Sequence, residues 1–147
     1  MNDIKKVKIF TILIHSFIII GAGHGIGIMG MIDIACIPNL IDNYGFTLSG
    51  NFDDNIMSIG LLSLIGKILL ILSLFIKTNR TKNLTGLFGL LLLWISVYFL
   101  SSGNWNYSSL YEIAFWTSVP FMISSIILTY LIIKNIKQNK KPVANNG

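Results

Sequence analysis

Four ionisable side chains lie inside apolar runs of this chain, where a charge is expensive to keep. They are His15, His24, Lys67 and Glu112. A lysine at the centre of a membrane-spanning helix costs about 2.5–3.5 kcal/mol on insertion scales. Groups of this kind suit a counter-ion, a proton site or a binding site for an anionic ligand. We therefore take these four as a candidate intramembrane polar site.

Lys67 is the most informative of the four, because it falls near the middle of its apolar run. Glu112 is the acidic partner we expect for it, although a rise of ~1.5 Å per residue separates their depths by about 12 Å. Two simpler alternatives are that Lys67 extends its stem towards the interface, or that its ammonium rests on the ring of Trp94. Glu112 equally suits the first turn of a helix, where a negative charge is favourable.

The two histidines are nine residues apart on what we predict to be one helix. At about 100° per residue they would face opposite sides, so one molecule would not ligate a single haem or metal ion through both. His24 lies between Gly23 and Gly25, which leave its imidazole accessible. A histidine hydrogen-bonded within a helix bundle is the simpler interpretation of His24. We predict no metal and no cofactor, with a haem or a quinone as the alternative.

Motifs that mark the active sites of soluble enzymes are missing from the sequence. It contains no G-x-S-x-G, H-E-x-x-H, P-loop or C-x-x-C pattern. The run 21–27 has glycines spaced as in a dinucleotide fingerprint, but it lies within an apolar run and follows no predicted strand. The single cysteine, Cys36, permits no disulfide within the chain. We therefore expect a protein that is not an enzyme.

The composition explains why polar groups are so costly here. Of the 147 residues, 53% are hydrophobic and 12% are charged, about half the ~25% charge of soluble domains. The mean hydropathy is +0.71. A chain this apolar does not suit a soluble fold of its length. The net charge of +5 sits in short flanks beside the apolar runs, which predicts a lipid bilayer, not nucleic acid, as its partner.

The apolar runs predict an all-α membrane protein, a four-transmembrane-helix up-down antiparallel bundle. A membrane-spanning helix needs about 20 mostly apolar residues, and four runs are long enough. The predicted spans are at about 9–31, 57–76, 84–100 and 110–133. They form one domain over 1–136, with an extracytoplasmic loop at 33–55 and a flexible cytoplasmic tail at 137–147.

Basic residues predict the orientation of this bundle. Lysines and arginines occur before the first span, between the second and third, and after the fourth, whereas the other two connections contain none. By the positive-inside rule both termini are cytoplasmic, and we expect the cytoplasmic membrane of a bacterium. An alternative is that the first run is a signal peptide cleaved after the small residues 21–23, which the mature amino terminus would decide.

Small residues that allow close helix approach are expected to hold the bundle together. They are Gly21, Gly23, Gly25, Gly27 and Gly30 in the first span, with Gly86 and Gly89 in the third. Because glycine weakens a helix, the alternative for the first set is a locally irregular segment that lines a cavity.

Two functions follow from these features. Our leading hypothesis is a non-enzymatic protein of accessory or immunity type, which acts by helix–helix association with a membrane partner or with a second copy of itself. The alternative is a membrane-embedded ligand, haem, quinone or proton site that uses His24, Lys67 and Glu112.

Overall fold

The computed structural model describes residues 3–22, 25–41, 46, 48, 52–103, 106 and 109–138. This part of the chain is mostly helical, with five α-helices and one two-stranded antiparallel sheet. The elements are α1 (Asp3–Ser16), β1 (Ile19–Ala22), β2 (Gly25–Ile28), α2 (Met29–Ile41), α3 (Phe52–Phe75), α4 (Asn79–Ser101) and α5 (Ser109–Gln138).

Three of the helices are long and apolar enough to cross a membrane. Their spanning parts are Asn55–Phe75, Asn79–Ser101 and Ser109–Gln138, with 21, 23 and 30 residues. Each exceeds the roughly 20 residues that a hydrocarbon core requires. They contain the second, third and fourth predicted spans, and they indicate a membrane protein.

The first predicted span is wrong as a single helix over 9–31. Helix α1 ends at Ser16, and a β-hairpin occupies 19–28 before α2 begins at Met29. Its register pairs Ile19 with Ile28 and Gly21 with Ile26. Four glycines, at 21, 23, 25 and 27, and isoleucines at 19, 20, 26 and 28 explain the change. Each glycine costs a helix about 1 kcal/mol, and β-branched isoleucine suits a strand.

Helices α1 and α2 meet beside each other where the hairpin is inserted. The Met29 amide donates a hydrogen bond to the Ile18 carbonyl over 2.9 Å. Gly30 lies so close to Ser16 that an added Cβ would stand 3.3 Å from the serine Cβ. The hairpin leaves this junction and packs on α5, where the Ile19 amide donates to Thr117 Oγ1 over 3.1 Å.

The predicted loop at 33–55 is also partly wrong. Residues 33–41 belong to α2, which packs against α3, and α3 already begins at Phe52. Ile32 of α2 lies against Gly60 of α3, where an added Cβ would stand 2.6 Å from the isoleucine Cγ2. The predicted tail overlaps the end of α5, which continues to Gln138. Residues 139–147 lie outside the described part of the chain.

Helices α3 and α4 form a tight antiparallel hairpin through two glycines. A Cβ on Gly89 would lie 2.8 Å from the carbonyl oxygen of Gly66, and a Cβ on Gly66 would lie 2.9 Å from a Leu93 methyl. Only hydrogen at these positions lets the two backbones approach so closely. The contact holds α3 in place one residue before Lys67.

Candidate intramembrane polar site

The buried face of α1 is polar, which is the reverse of a helix on a soluble protein. Lys8, Thr11 and His15 follow one another at spacings of three and four residues, and all three are fully buried. The opposite face carries Phe10 and Leu13, which are 57% and 52% exposed. Helix α1 thus turns its apolar side outward and its polar side into the bundle.

Lys67 of α3 forms a buried ion pair with Asp33 of α2. The lysine Nζ donates to Asp33 Oδ2, and each side chain is only 7% exposed. Cys36, one turn further along α2, donates its thiol hydrogen to the Asp33 carbonyl over 3.1 Å. The second carboxylate oxygen, Oδ1, is buried and has no hydrogen-bond partner within the described residues. The pair joins the two helices in the interior.

His15 lies in the same interior, packed against α4 and α5. Its Nε2 is 3.1 Å from Ser96 Oγ, and its ring meets Phe121 edge-on at 4.7 Å between centroids.

The hydrogen bonds assign a tautomer to His15. Ser96 donates its single hydroxyl hydrogen to the Leu93 carbonyl over 2.8 Å, the shorter of its two contacts. His15 Nε2 must then carry a hydrogen and donate it to Ser96, since a neutral imidazole has one donor and one acceptor nitrogen. The acceptor is Nδ1, which is buried and unpaired in the described part of the chain. His15 therefore offers a lone pair to an incoming proton.

Two further polar contacts lie on this face of α1, closer to its amino terminus. Lys8 Nζ donates to Ser73 Oγ of α3 over 2.7 Å, and Thr11 Oγ1 is 2.7 Å from Ser124 Oγ of α5. We call the end of the bundle that holds Lys8 and Lys82 the basic end.

We call the buried polar side chains that make these contacts the polar line. It comprises Lys8, Thr11, His15, Lys67 and Asp33. From Lys8 to His15 it rises about 10 Å along α1. Chemically, the line holds one neutral base with a free lone pair and one ion pair, and both can exchange protons.

Of the four candidate ionisable residues, two meet in this line. His15 and Lys67 are in it, whereas Glu112 is exposed in the first turn of α5. The expected pairing of Lys67 with Glu112 is wrong, because Asp33 occupies that role. Trp94, the alternative contact for the Lys67 ammonium, packs with Phe121 at 6.0 Å between ring centroids. His24 lies outside the described residues.

The argument that set His15 and His24 on opposite faces of one helix does not hold, since α1 ends at Ser16. Among the described residues, no three His, Cys, Asp or Glu side chains are grouped to hold a metal ion.

Asp33 is the site residue that sequence reasoning missed. We placed it in a loop, yet Ile32, Ile34 and Cys36 surround it with apolar neighbours. A lone acid in such a run carries the same intramembrane signal that marked Lys67. The error came from ending the first span at residue 31.

The glycines of the first predicted span do not pack as one helix face. Gly21, Gly25 and Gly27 lie in the hairpin, Gly30 lies in α2, and Gly23 is outside the described residues. Gly21 lies under Leu110 of α5, where an added Cβ would be 2.2 Å from a leucine methyl.

On α4, the two glycines face different neighbours. Gly89 meets α3, and a Cβ on Gly86 would be 3.2 Å from Lys8 Nζ. Gly86 thus makes room for the lysine at the basic end.

Comparison of the chain with family models, with curated proteins and with solved structures finds no match.

Proposed function

We propose that the protein crosses a bacterial cytoplasmic membrane four times, with both termini in the cytoplasm. In this arrangement α1 and α2 together make the first crossing, interrupted by the hairpin. The three long apolar helices support it, as does the grouping of basic side chains at one end. Interrupted helices of this kind occur in membrane transporters, where they line binding sites.

Within that membrane the protein binds and transfers protons along the polar line. The observation that carries this function is the fully buried polar face of α1, which leads from Lys8 to His15 beside the Lys67–Asp33 pair. Ionisable side chains inside a membrane protein that face the interior of the bundle mark proton and ion pathways. Lys8, His15 and the Lys67–Asp33 pair are all buried in the interior.

The ion pair and the histidine provide two kinds of proton transfer. A proton that moves from Lys67 Nζ to Asp33 Oδ2 leaves a neutral amine and a neutral acid, so the pair gains no net charge in a medium of low dielectric constant. His15 can accept a proton at Nδ1 and release the one on Nε2 towards Ser96. Together they give the line a donor, an acceptor and a relay.

Stability alone gives little reason for such a pair. Replacing a buried ion pair by apolar residues of similar volume is often neutral or stabilising by 1–4 kcal/mol. Two apolar residues in place of Lys67 and Asp33 would therefore be compatible with a stable fold, which favours a functional role for this ion pair.

Proton flux into vesicles tests this function. Purified protein is reconstituted into liposomes that contain a pH-sensitive dye, and a potassium gradient with valinomycin drives protons across the membrane. We expect acidification well above that of protein-free vesicles, and at least a tenfold loss when Lys67→Met and Asp33→Leu are combined. Lys137→Met, which removes an exposed lysine of α5, serves as the matched control. Wild-type flux equal to that of empty vesicles would refute the proposal.

Self-association is a second candidate function, favoured by the exposed side of the hairpin. Strand β1 is covered by α5, but β2 is open: Ile26 is 73% exposed, and an added Cβ on Gly27 would meet nothing within 4 Å. Within the described residues the sheet has two strands, so the far edge of β2 has no strand beside it. Lipid does not satisfy an open sheet edge, whereas the same edge of a second copy does.

Disulfide cross-linking in native membranes tests this association. In a Cys36→Ser background, Ile26→Cys should give covalent dimers under mild oxidation. Phe75→Cys is the control, because Phe75 is 76% exposed on α3 and far along the chain from the hairpin. If both variants cross-link equally, or neither does, the hairpin is not the interface between two copies of this chain. A different membrane protein on the same edge, as an accessory or immunity-type role requires, would leave Ile26→Cys monomeric.

A further inference from the structure

One buried serine in the spanning helices differs from its neighbours in its hydrogen bonding. Ser73, Ser96 and Ser125 each donate to the carbonyl three residues earlier in their own helix. Ser63 is equally buried, yet its Oγ has no hydrogen-bond partner in the described residues. A buried hydroxyl without a partner is unfavourable and calls for an unseen one.

Ser63 lies one helical turn from Lys67 on α3, at about 6 Å along the axis. Lys67 in turn holds Asp33, whose Oδ1 is also buried and unpaired in this part of the chain. A carboxylate oxygen only accepts hydrogen bonds, whereas a hydroxyl both donates and accepts. One small molecule that donates and accepts, such as water, is able to satisfy both atoms.

A pocket of about 210 Å³ opens at the end of the bundle opposite the basic end. Its lining includes Asn55 and Ile59 of α3, Ser102 after α4, and Tyr111 of α5. This volume has room for several water molecules. Ile59 is 1% exposed and lines the pocket on α3, the helix that also carries Lys67.

Helix α3 connects this pocket to the ion pair. Asn55, Ile59, Ser63 and Lys67 are each four residues apart, so they form one gently winding stripe. Ile59 is the apolar member of the stripe, between a polar pocket and the unpaired Ser63. An apolar side chain at this point separates water in the pocket from the interior.

We propose that water enters from this pocket past Ile59 and binds between Ser63 Oγ and Asp33 Oδ1. This water site extends the polar line towards the end of the bundle opposite the basic end. Its functional role depends on the proton transfer proposed above. Its occupant is water, which joins Ser63 to the carboxylate and carries protons to Lys67. Ser63 is then a positioning residue for that water.

Thiol labelling measures water access and not proton movement. A negative result for the water site can therefore be distinguished from a negative result for proton transfer. In a Cys36→Ser background, Ser63→Cys and Ser125→Cys are treated in membranes with a small sulfonate methanethiosulfonate. Ser125 is the matched control, since it is equally buried but keeps its own hydrogen bond. We expect Ser63→Cys to react at least tenfold faster, and equal rates would overturn the water site.

The route is tested by adding Ile59→Ala to both variants. Removal of the apolar wall should speed the reaction of Ser63→Cys severalfold and leave Ser125→Cys unchanged. An unchanged rate at Ser63→Cys would overturn entry through the pocket. Acceleration of both reactions would do so too, because it would show general loosening of the bundle. Gel filtration in detergent checks that each variant remains folded.

Discussion

Removing one member of the Lys67–Asp33 pair should cost far more than removing both. Each side chain is only 7% exposed, so little solvent is available to screen a charge left alone. Breaking a buried pair from one side costs about 3–5 kcal/mol, whereas an apolar replacement of both members is often neutral or better. We expect Lys67→Met and Asp33→Leu each to lower the free energy of unfolding by about 3–5 kcal/mol, and the double variant to lie within about 1 kcal/mol of wild type.

The lower end of this range is the better expectation in a micelle. The unfolded chain keeps its helices there and still finds polar partners, which reduces the measured worth of interhelical contacts. A single-variant loss of about 3 kcal/mol changes the unfolding constant by roughly 150-fold, which equilibrium measurements resolve.

Reversible unfolding by SDS in mixed micelles measures these energies. Tryptophan fluorescence is a suitable signal, because Trp94 packs against Phe121 beside His15. Lys137→Met is the control for the loss of an exposed lysine. If either single variant loses less than about 1 kcal/mol, or if the double variant loses the sum of the two, the pair is not desolvated and the reasoning is wrong.

Further predictions concern the glycines of α4 and of the hairpin. Gly89→Ala should destabilise the protein by about 1–3 kcal/mol in SDS unfolding, since its Cβ meets the Gly66 carbonyl. Gly27→Ala should change stability by less than about 1 kcal/mol, because open space surrounds that position.

The location of the hairpin illustrates how far local patterns predict this fold. Glycine at every second position from 21 to 27, with isoleucines at 19, 20, 26 and 28, suits paired strands as well as a helix of small residues. Hydropathy averages over both and indicates only an apolar run. The choice depends on partners distant in sequence: Thr117 accepts the Ile19 amide, and Leu110 covers Gly21. No local property of 19–28 contains those contacts.

The candidate site, too, could be predicted only in part from the sequence. The energetic cost of an ionisable group in an apolar run was enough to single out Lys67 and His15. Glu112 was the candidate partner of Lys67 only because no other acidic residue fell within a predicted span, and that pairing failed. Asp33 is the partner because α2 lies beside α3 within the bundle, a placement that depends on the break in the first span.

By itself, the sequence determined that this is a membrane protein and where three helices are long and apolar enough to cross a bilayer. The physical reason is that hydrocarbon leaves backbone groups no partner except those within a continuous apolar helix, so length and hydropathy suffice. Only the tertiary structure decided how the first apolar run breaks, which carboxylate meets Lys67 and that one face of α1 is polar and buried. Those features arise from contacts between distant segments, which composition and periodicity do not specify.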